Sequence, residues 1–304
     1  MLGYVTESDE KLIALLEYAR TLRLVIRNGR IEVERIEEQT AEDMMMYQSF
    51  EYSLNDGIAL VRLNRPNKLN AIDNVMVREF GELATHIRAD KNVRVVVFTG
   101  NGRAFCAGAD IASLNSIETS GDFMTHIENI QKTFNAIDDL DRPTIAAING
   151  LAFGGGCELS LVCDFRIMAE EASIGVPEIL IGVLPGAGGT QRLAKMLPPA
   201  IAKQMIYLGE PLKAAQALHH GLVNAVVPAA QVLDTAMDLA RRLLKMPPLG
   251  VRCAKLLVHA GMNADLKTGI EAERQAMAFL FGTEDRVEGM GAFLAKRLAE
   301  FKGR

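Results

Sequence analysis

The sequence predicts an α/β fold built from repeated strand–loop–helix units and closed by a run of helices. Three observations predict it. Apolar strands at Val93 to Thr99, Thr144 to Asn149 and Phe165 to Ala169 each lead through a glycine-bearing loop toward a helix, and the recurrence points to a spiral of similar units exposing backbone at one edge. From about residue 200 the pattern is almost wholly helical. Composition is that of an ordinary globular chain, with 49% hydrophobic and 23% charged residues among 304.

In chain order, residues 1 to 46 read as a separate extension. Ser8 is placed to cap a helix through about Leu22, with Leu12, Leu15, Leu16, Ala19 and Leu22 on one face. Leu24 to Val33 reads as a hairpin around Asn28-Gly29, and an acidic stretch from Glu32 to Asp43 follows. The main body begins near Tyr47. Phe50 to Ser53 and Ile58 to Leu63 pair across Asn55-Asp56-Gly57. Asp73 or Asn74 starts a helix with Met76, Phe80, Leu83 and Ile87 on one face. Val93 to Thr99 is apolar enough for a strand covered on both sides. It runs into the loop Gly100 to Asp110. The next unit, Thr144 to Asn149, hands over through Gly154, Gly155 and Gly156 to a helix ending near Cys163. A third passes from Phe165 to Ala169 through Glu178 and Pro185-Gly186-Ala187-Gly188-Gly189 to a helix from Thr190. Helices at 200–208, 212–220, 230–245, 249–260, 266–281 and 283–301 follow, interrupted by a short strand at 223–227.

Several classes of function fit poorly. The formal net charge of −5 and a pI near 5.7 oppose broad attraction to nucleic acid. Cys106, Cys157, Cys163 and Cys253 lack the spacing of a zinc site or disulfide framework, and the first two read more simply as small buried hydrophobes than as nucleophiles. No apolar run approaches the ~20 residues that span a bilayer, and acidic Glu7, Asp9 and Glu10 stand where a targeting peptide is basic, so a cytoplasmic protein is expected. The glycine clusters match neither the dinucleotide fingerprint nor the phosphate loop, and no histidine accompanies a nucleophile elbow.

The corner at Gly150 to Asp164 is the chemical focus. Its glycines let a ligand approach backbone closely, and unpaired amides at a helix start suit a developing negative charge, with Glu158 in the first turn. Read more plainly, the glycines allow tight packing and Glu158 complements the helix dipole. Glu178, in a second apolar setting, favours the chemical reading, because burial raises both carboxyls toward an acid–base range.

From about Tyr47 onward the chain resembles the enoyl-CoA hydratase/isomerase (crotonase) superfamily. The resemblance rests on Asn64-Arg65-Pro66 with Asn70-Ala71, on Ala104 to Ile111, on Asn149-Gly150 through Glu158, on Pro177-Glu178 and on Pro185 to Arg192. It implies a crotonase-like spiral of ββα turns over residues 47–232 and a helical trimerisation region over 233–304, assembled as a homotrimer or a dimer of trimers. It further implies that the Ala109 and Gly155 amides form an oxyanion hole for an acyl-CoA thioester, and that Glu158 and Glu178 add water, syn and reversibly, across the 2,3 double bond of a 2-enoyl-CoA. Ala107, Gly108, Asp110 and Ile111 would meet the substrate. No metal or separate cofactor is implied, since coenzyme A belongs to the substrate. A lysine often follows the Ala-Gly-Ala-Asp-Ile run in the family; this chain has Ala112-Ser113 there, and Lys68, or Lys296 with Arg297, is the expected substitute for that phosphate contact. The stretch 112–140 is expected to line the acyl pocket. Isomerisation, thioester hydrolysis or decarboxylation through the same enolate stay open, and RNA binding is the non-enzymatic alternative, disfavoured by the mixed charge around Arg241-Arg242 and Lys245.

Overall fold

In a computed structural model of the chain, the described residues are 22–27, 30–35 and 47–304. The chain divides into two compact units, 1–45 and 46–304. In the first, β1 (Leu22–Arg27) pairs antiparallel with β2 (Arg30–Arg35), Arg27 lying opposite Arg30. That register leaves two residues between the strands, as the hairpin reading required. Leu22 opens a strand and does not end a helix. The rest of the helix expected from Ser8, and the acidic stretch beyond Arg35, lie outside the described residues.

The second unit opens on β3 (Phe50–Asn55) and β4 (Ile58–Leu63), joined by Asp56 and Gly57 at φ 49° and 83°. Two positive φ angles are what a two-residue turn needs to match strand twist. The Asp73 carboxylate accepts from Met76 N–H and starts α1 (Asn74–Ala89), which buries Met76, Phe80, Leu83 and Ile87 completely, the face its periodicity predicts. Phe80 stacks on Phe50 and meets Phe98 and Phe134 edge-on, tying α1 to the sheet and to a later helix.

Three further turns of chain each lay down one long strand and one short one. β5 (Val95–Gly100) leads to β6 (Ala104–Cys106), β7 (Thr144–Ile148) to β8 (Leu151–Phe153), and β9 (Phe165–Ala169) to β10 (Ser173–Gly175). Between the first two turns lie α2 (Ile111–Asn115) and α3 (Ser120–Asp138), where sequence had left the conformation open. After β8 comes α4 (Gly155–Leu161), and after β10 come α5 (Gly189–Met196), α6 (Pro199–Leu208), β11 (Leu212–Lys213), α7 (Ala214–His219) and β12 (Ala225–Val227). The long strands form a six-stranded sheet in the order β12-β9-β7-β5-β4-β3, and the short ones a four-stranded sheet in the order β11-β10-β8-β6. All pairs are parallel except β3-β4 and β10-β11. This is the expected spiral, with a second sheet that the loops conceal. Buried Arg166 on β9 binds the carbonyls of Ser160, Cys163 and Leu222, closing the open end of α4 against the approach to β12.

The C-terminal helices differ among themselves. α8 (Val232–Leu244) packs on β5, β7 and β9 and buries Val232, Ala236 and Ala240. α9 (Pro248–Gly261) and α10 (Leu266–Phe281) pack on each other and bury no residue fully. α11 (Glu284–Leu294) ends earlier than the 283–301 helix expected. Its polar start draws the chain back: Asp285 accepts from Lys302 N–H at 2.6 Å and Gly303 N–H at 2.8 Å, and Glu288 pairs with Arg297 through both guanidinium nitrogens. Lys296 turns the chain at φ 52°.

Candidate active site

The spiral brings two strand ends to one edge. From β6 the chain passes Ala107 and Gly108 (φ 106°) to Ala109; from β8 it passes Gly154 (φ 52°) to Gly155. The φ of Gly108, and the φ of Gly154 together with its ψ of −124°, strain any L side chain, and each sets the direction of the next peptide. Ala109 makes a parallel bridge with Ile72, in which Ile72 N–H donates to Gly108 O and Asp110 N–H donates to Ile72 O, both at 2.8 Å. The bridge leaves Ala109 N–H turned away from Ile72. Among the described residues the Ala109 and Gly155 amides have no acceptor. A Cβ built on Gly155 would stand 3.8 Å from Ala109 N, which brings the Gly155 backbone close to that donor.

Glu158, in the first turn of α4, is 2% exposed. Its Oε1 accepts from Ala187 N–H at 2.8 Å and Gly189 N–H at 2.7 Å. Burial pushes this carboxyl up to about 7, against the pull of the Gly189 amide; Glu178 raises it further, while Ala187 and Arg192 lower it. Glu178 stands in the 3₁₀ turn Pro177–Ile181, and burial raises it too. Its Oε2 is buried without a hydrogen-bond partner among the described residues. Its Oε1 would lie 2.9 Å from a Cβ on Gly154, so the second glutamate borders the amide corner. Glu178 is among the charges that raise Glu158, so the titrations of the two carboxyls interact.

The other expected residues separate into groups. Ala107 N–H donates to Leu69 O, and Asn70 Nδ2 reaches the carbonyls of Asn101, Ala104 and Phe105, so the turn carrying exposed Lys68 is tied to the loop that leads to Ala109. Asp110 caps α2 through Ala112 N–H and pairs with Arg65 at 3.4 Å, which engages its carboxylate within the protein; Ile111 is 54% exposed beside it. Lys296 is exposed on the C-terminal turn, and among the described residues no hydrogen bond or ion pair ties it to the corner; Arg297 is held by Glu288. Cys106 and Cys157 are buried, and burial drives both thiols upward, Cys106 to about 12, which suits packing and not nucleophilic attack.

Sequence reasoning did not find the partners that hold these groups. Arg65 links Asp73 and Asp110 and bonds Ala71 O, and the Ala187 and Gly189 amides hold Glu158. Both sets lay inside recognisable motifs, but only the folded chain shows which way their donors aim. Such a corner can hold an oxygen anion with main-chain amides while paired carboxyls move protons.

The profile of the enoyl-CoA hydratase/isomerase family matches residues 53–304. A crotonyl-CoA hydratase from Syntrophomonas wolfei is 38% identical over 258 residues, covering 84% of this chain and 99% of that protein. A short-chain-enoyl-CoA hydratase from Clostridium acetobutylicum is 38% identical over 250 residues, covering 81% and 95%. The crystal structure of an enoyl-CoA hydratase from Bacillus anthracis superposes with a TM-score of 0.81 at 38% identity, covering 84% of this chain and all of that one. The chain belongs to the enoyl-CoA hydratase/isomerase family.

Proposed function

We propose that this protein is an enoyl-CoA hydratase, adding water reversibly across the 2,3 double bond of a 2-enoyl-CoA thioester. The observation that carries the reading is the pair of carboxyls, Glu158 and Glu178, near two amides, at Ala109 and Gly155, that have no acceptor among the described residues. In this reading the two N–H groups take the thioester oxygen and stabilise the enolate that forms when water attacks C3. Glu158, aimed by its two amide donors, which partly offset the burial that raises it, accepts a proton from that water. Glu178, with a buried oxygen that has no partner among the described residues, holds the proton delivered to C2. The proton then returns from Glu158 to Glu178, so one water is consumed and the pair is reset. Hydration leaves the overall oxidation level unchanged, so no redox cofactor is called for, and the amides supply the polarisation that a metal would otherwise give.

In the same reading Ala107, Gly108, Asp110 and Ile111 would line the approach of the acyl-CoA, and exposed Lys68 would meet its phosphates. Lys296 would have to act from another subunit. The exposed apolar side chains of α9, α10 and α11, among them Leu256, Ile270, Phe279, Phe281 and Phe293, support a homotrimer or dimer of trimers. Four free cysteines fit a reducing compartment, and we place the protein in the cytoplasm without a nucleic-acid partner. Among the described residues no helix is long and apolar enough to cross a membrane.

Two relatives are named for short substrates, so crotonyl-CoA is the probe. In ¹⁸O-labelled water the expected product is 3-hydroxybutyryl-CoA with label at C3, formed without a nicotinamide. Rapid conversion of a 3-enoyl-CoA to the 2-enoyl isomer with negligible label uptake would overturn hydration in favour of isomerisation.

A further inference from the structure

Glu158 is held by a loop, and the loop is held from outside. Pro185 to Gly189 supplies both amide donors, yet it carries no side chain able to fix its own direction. Arg192, one turn into α5, lies over it: Nη1 donates to Ala187 O at 3.1 Å, and a Cβ on Gly188 would stand 2.1 Å from that nitrogen. The other arm, Nη2, reaches Asp138 Oδ2 at 2.8 Å and Asn135 Oδ1 at 2.9 Å on α3. From the same helix, Gln131 Nε2 donates at 2.8 Å to Gly186 O, the carbonyl of the peptide whose N–H meets Glu158. Gly188 O accepts from Gln191 and Arg192 N–H, so the second donor peptide is fixed as well.

We propose that Arg192 is a positioning residue for Glu158, its guanidinium clamping the 185–189 loop to α3 so that the Ala187 and Gly189 amides stay aimed at the carboxylate. The inference rests on the hydratase reading for its kinetic consequence only. Arg192 touches neither carboxyl, and its side chain is 17% exposed, so water competes weakly for its fork. The charged and titratable groups facing Glu158 are Glu178 from the 3₁₀ turn, Arg192 from α5 and the buried thiol of Cys157 on α4. Asp138, which anchors the clamp, also faces His259 Nδ1 at 3.8 Å, and His259 Nε2 lies 3.5 Å from Asp164, itself paired with Lys255 at 2.9 Å. These outer groups border a cavity of about 790 Å³ that does not include either glutamate.

The sign of the effect follows from charge. A cation and two well-aimed donors favour ionised Glu158, so loosening them raises its pKa and moves the acid limb of the rate profile to higher pH. In Arg192→Met the expected kcat for crotonyl-CoA falls about 10- to 100-fold with KM within about 3-fold, and the acid limb of kcat/KM moves up by about one pH unit. Arg192→Lys keeps the charge and loses the fork, so its limb shift is less than half as large. Carbon-13 NMR of the Glu158 carboxyl follows the same shift without turnover; wild-type protein that fails to hydrate crotonyl-CoA would sink the hydratase reading while leaving this titration to decide the clamp. A folded Arg192→Met protein with unmoved limb and signal overturns the proposal, as does equal loss in Met and Lys variants with no shift. Should Arg192→Met not fold, Asp138→Asn slackens only the outer arm: lowered kcat at unchanged KM supports the clamp, and wild-type kcat overturns it.

Discussion

At Glu158 a carboxyl that is 2% exposed faces two amides and a second carboxyl, and each neighbour has a measurable consequence. Glu158→Gln and Glu178→Gln each remove proton transfer and little volume, so each is expected to lower hydration of crotonyl-CoA by about two to four orders of magnitude with the circular dichroism spectrum unchanged. Wild-type turnover by either folded variant would remove that residue from the chemistry. Stability responds to pH in the opposite sense to a salt-bridged acid. Burial raises Glu158 from the ordinary 4.5 to about 7, so its protonated form is the one folding favours. That contribution is intact below about pH 4.5 and is lost as pH rises through 7, worth on the order of 3 kcal/mol. Glu158→Gln cannot ionise, and its melting temperature should gain on the wild type between pH 5 and pH 8; a constant difference would contradict the burial argument. Both glutamates were legible in sequence because each follows a glycine or proline corner in apolar surroundings. Ala187 and Gly189 were not, since the direction of a main-chain N–H is fixed by the fold and leaves no mark in residue type.

At the scale of elements, the Ala109 bridge makes a sharp test available. Its neighbours Ile72 and Asp110 carry the bridge hydrogen bonds, and the Ala109 nitrogen carries none. Ala109→Pro therefore deletes a free donor without deleting an internal bond, and the expected loss in kcat is about 100- to 1000-fold, with Ala109→Ser nearly active. Equal activity in the two folded variants would argue that the amide is not used. The long strands and the amphipathic face of α1 were readable because four or more residues repeat a pattern. Short β6, β8 and β10 were not, because three residues show no period and their pairing is non-local. The early end of α11 escaped for a different reason: Asp285 and Glu288 capture the amides of Lys302, Gly303 and Glu300, and such tertiary capture overrides a helix-compatible sequence.

Across the whole molecule, the family match begins at residue 53 and the structure divides at 45/46, so the described β1-β2 hairpin belongs to a unit of its own. Deleting residues 1–46 is expected to leave a folded core that assembles as a trimer, with Ser49 and Gln48 amides still held by buried Glu79. Light scattering on the truncated protein decides it: recovery only as monomer or aggregate would make the first unit part of the assembly. What α9 to α11 cover could be read only as exposed apolar surface, because a partner's residues leave no trace in the spacing of one chain.

The division of labour at the corner has one more use. In the proposed mechanism the groups that would grip the thioester oxygen are peptide amides, whereas those that would move protons are side chains, so a side-chain exchange at 158 or 178 would leave the grip in place. The double variant Glu158→Gln/Glu178→Gln is thereby a substrate trap. It should retain crotonyl-CoA with a dissociation constant within about 10-fold of the wild-type KM while turning almost none of it over, and mass spectrometry of the acyl-CoAs it carries out of a thioester mixture would reveal the chain length this protein selects.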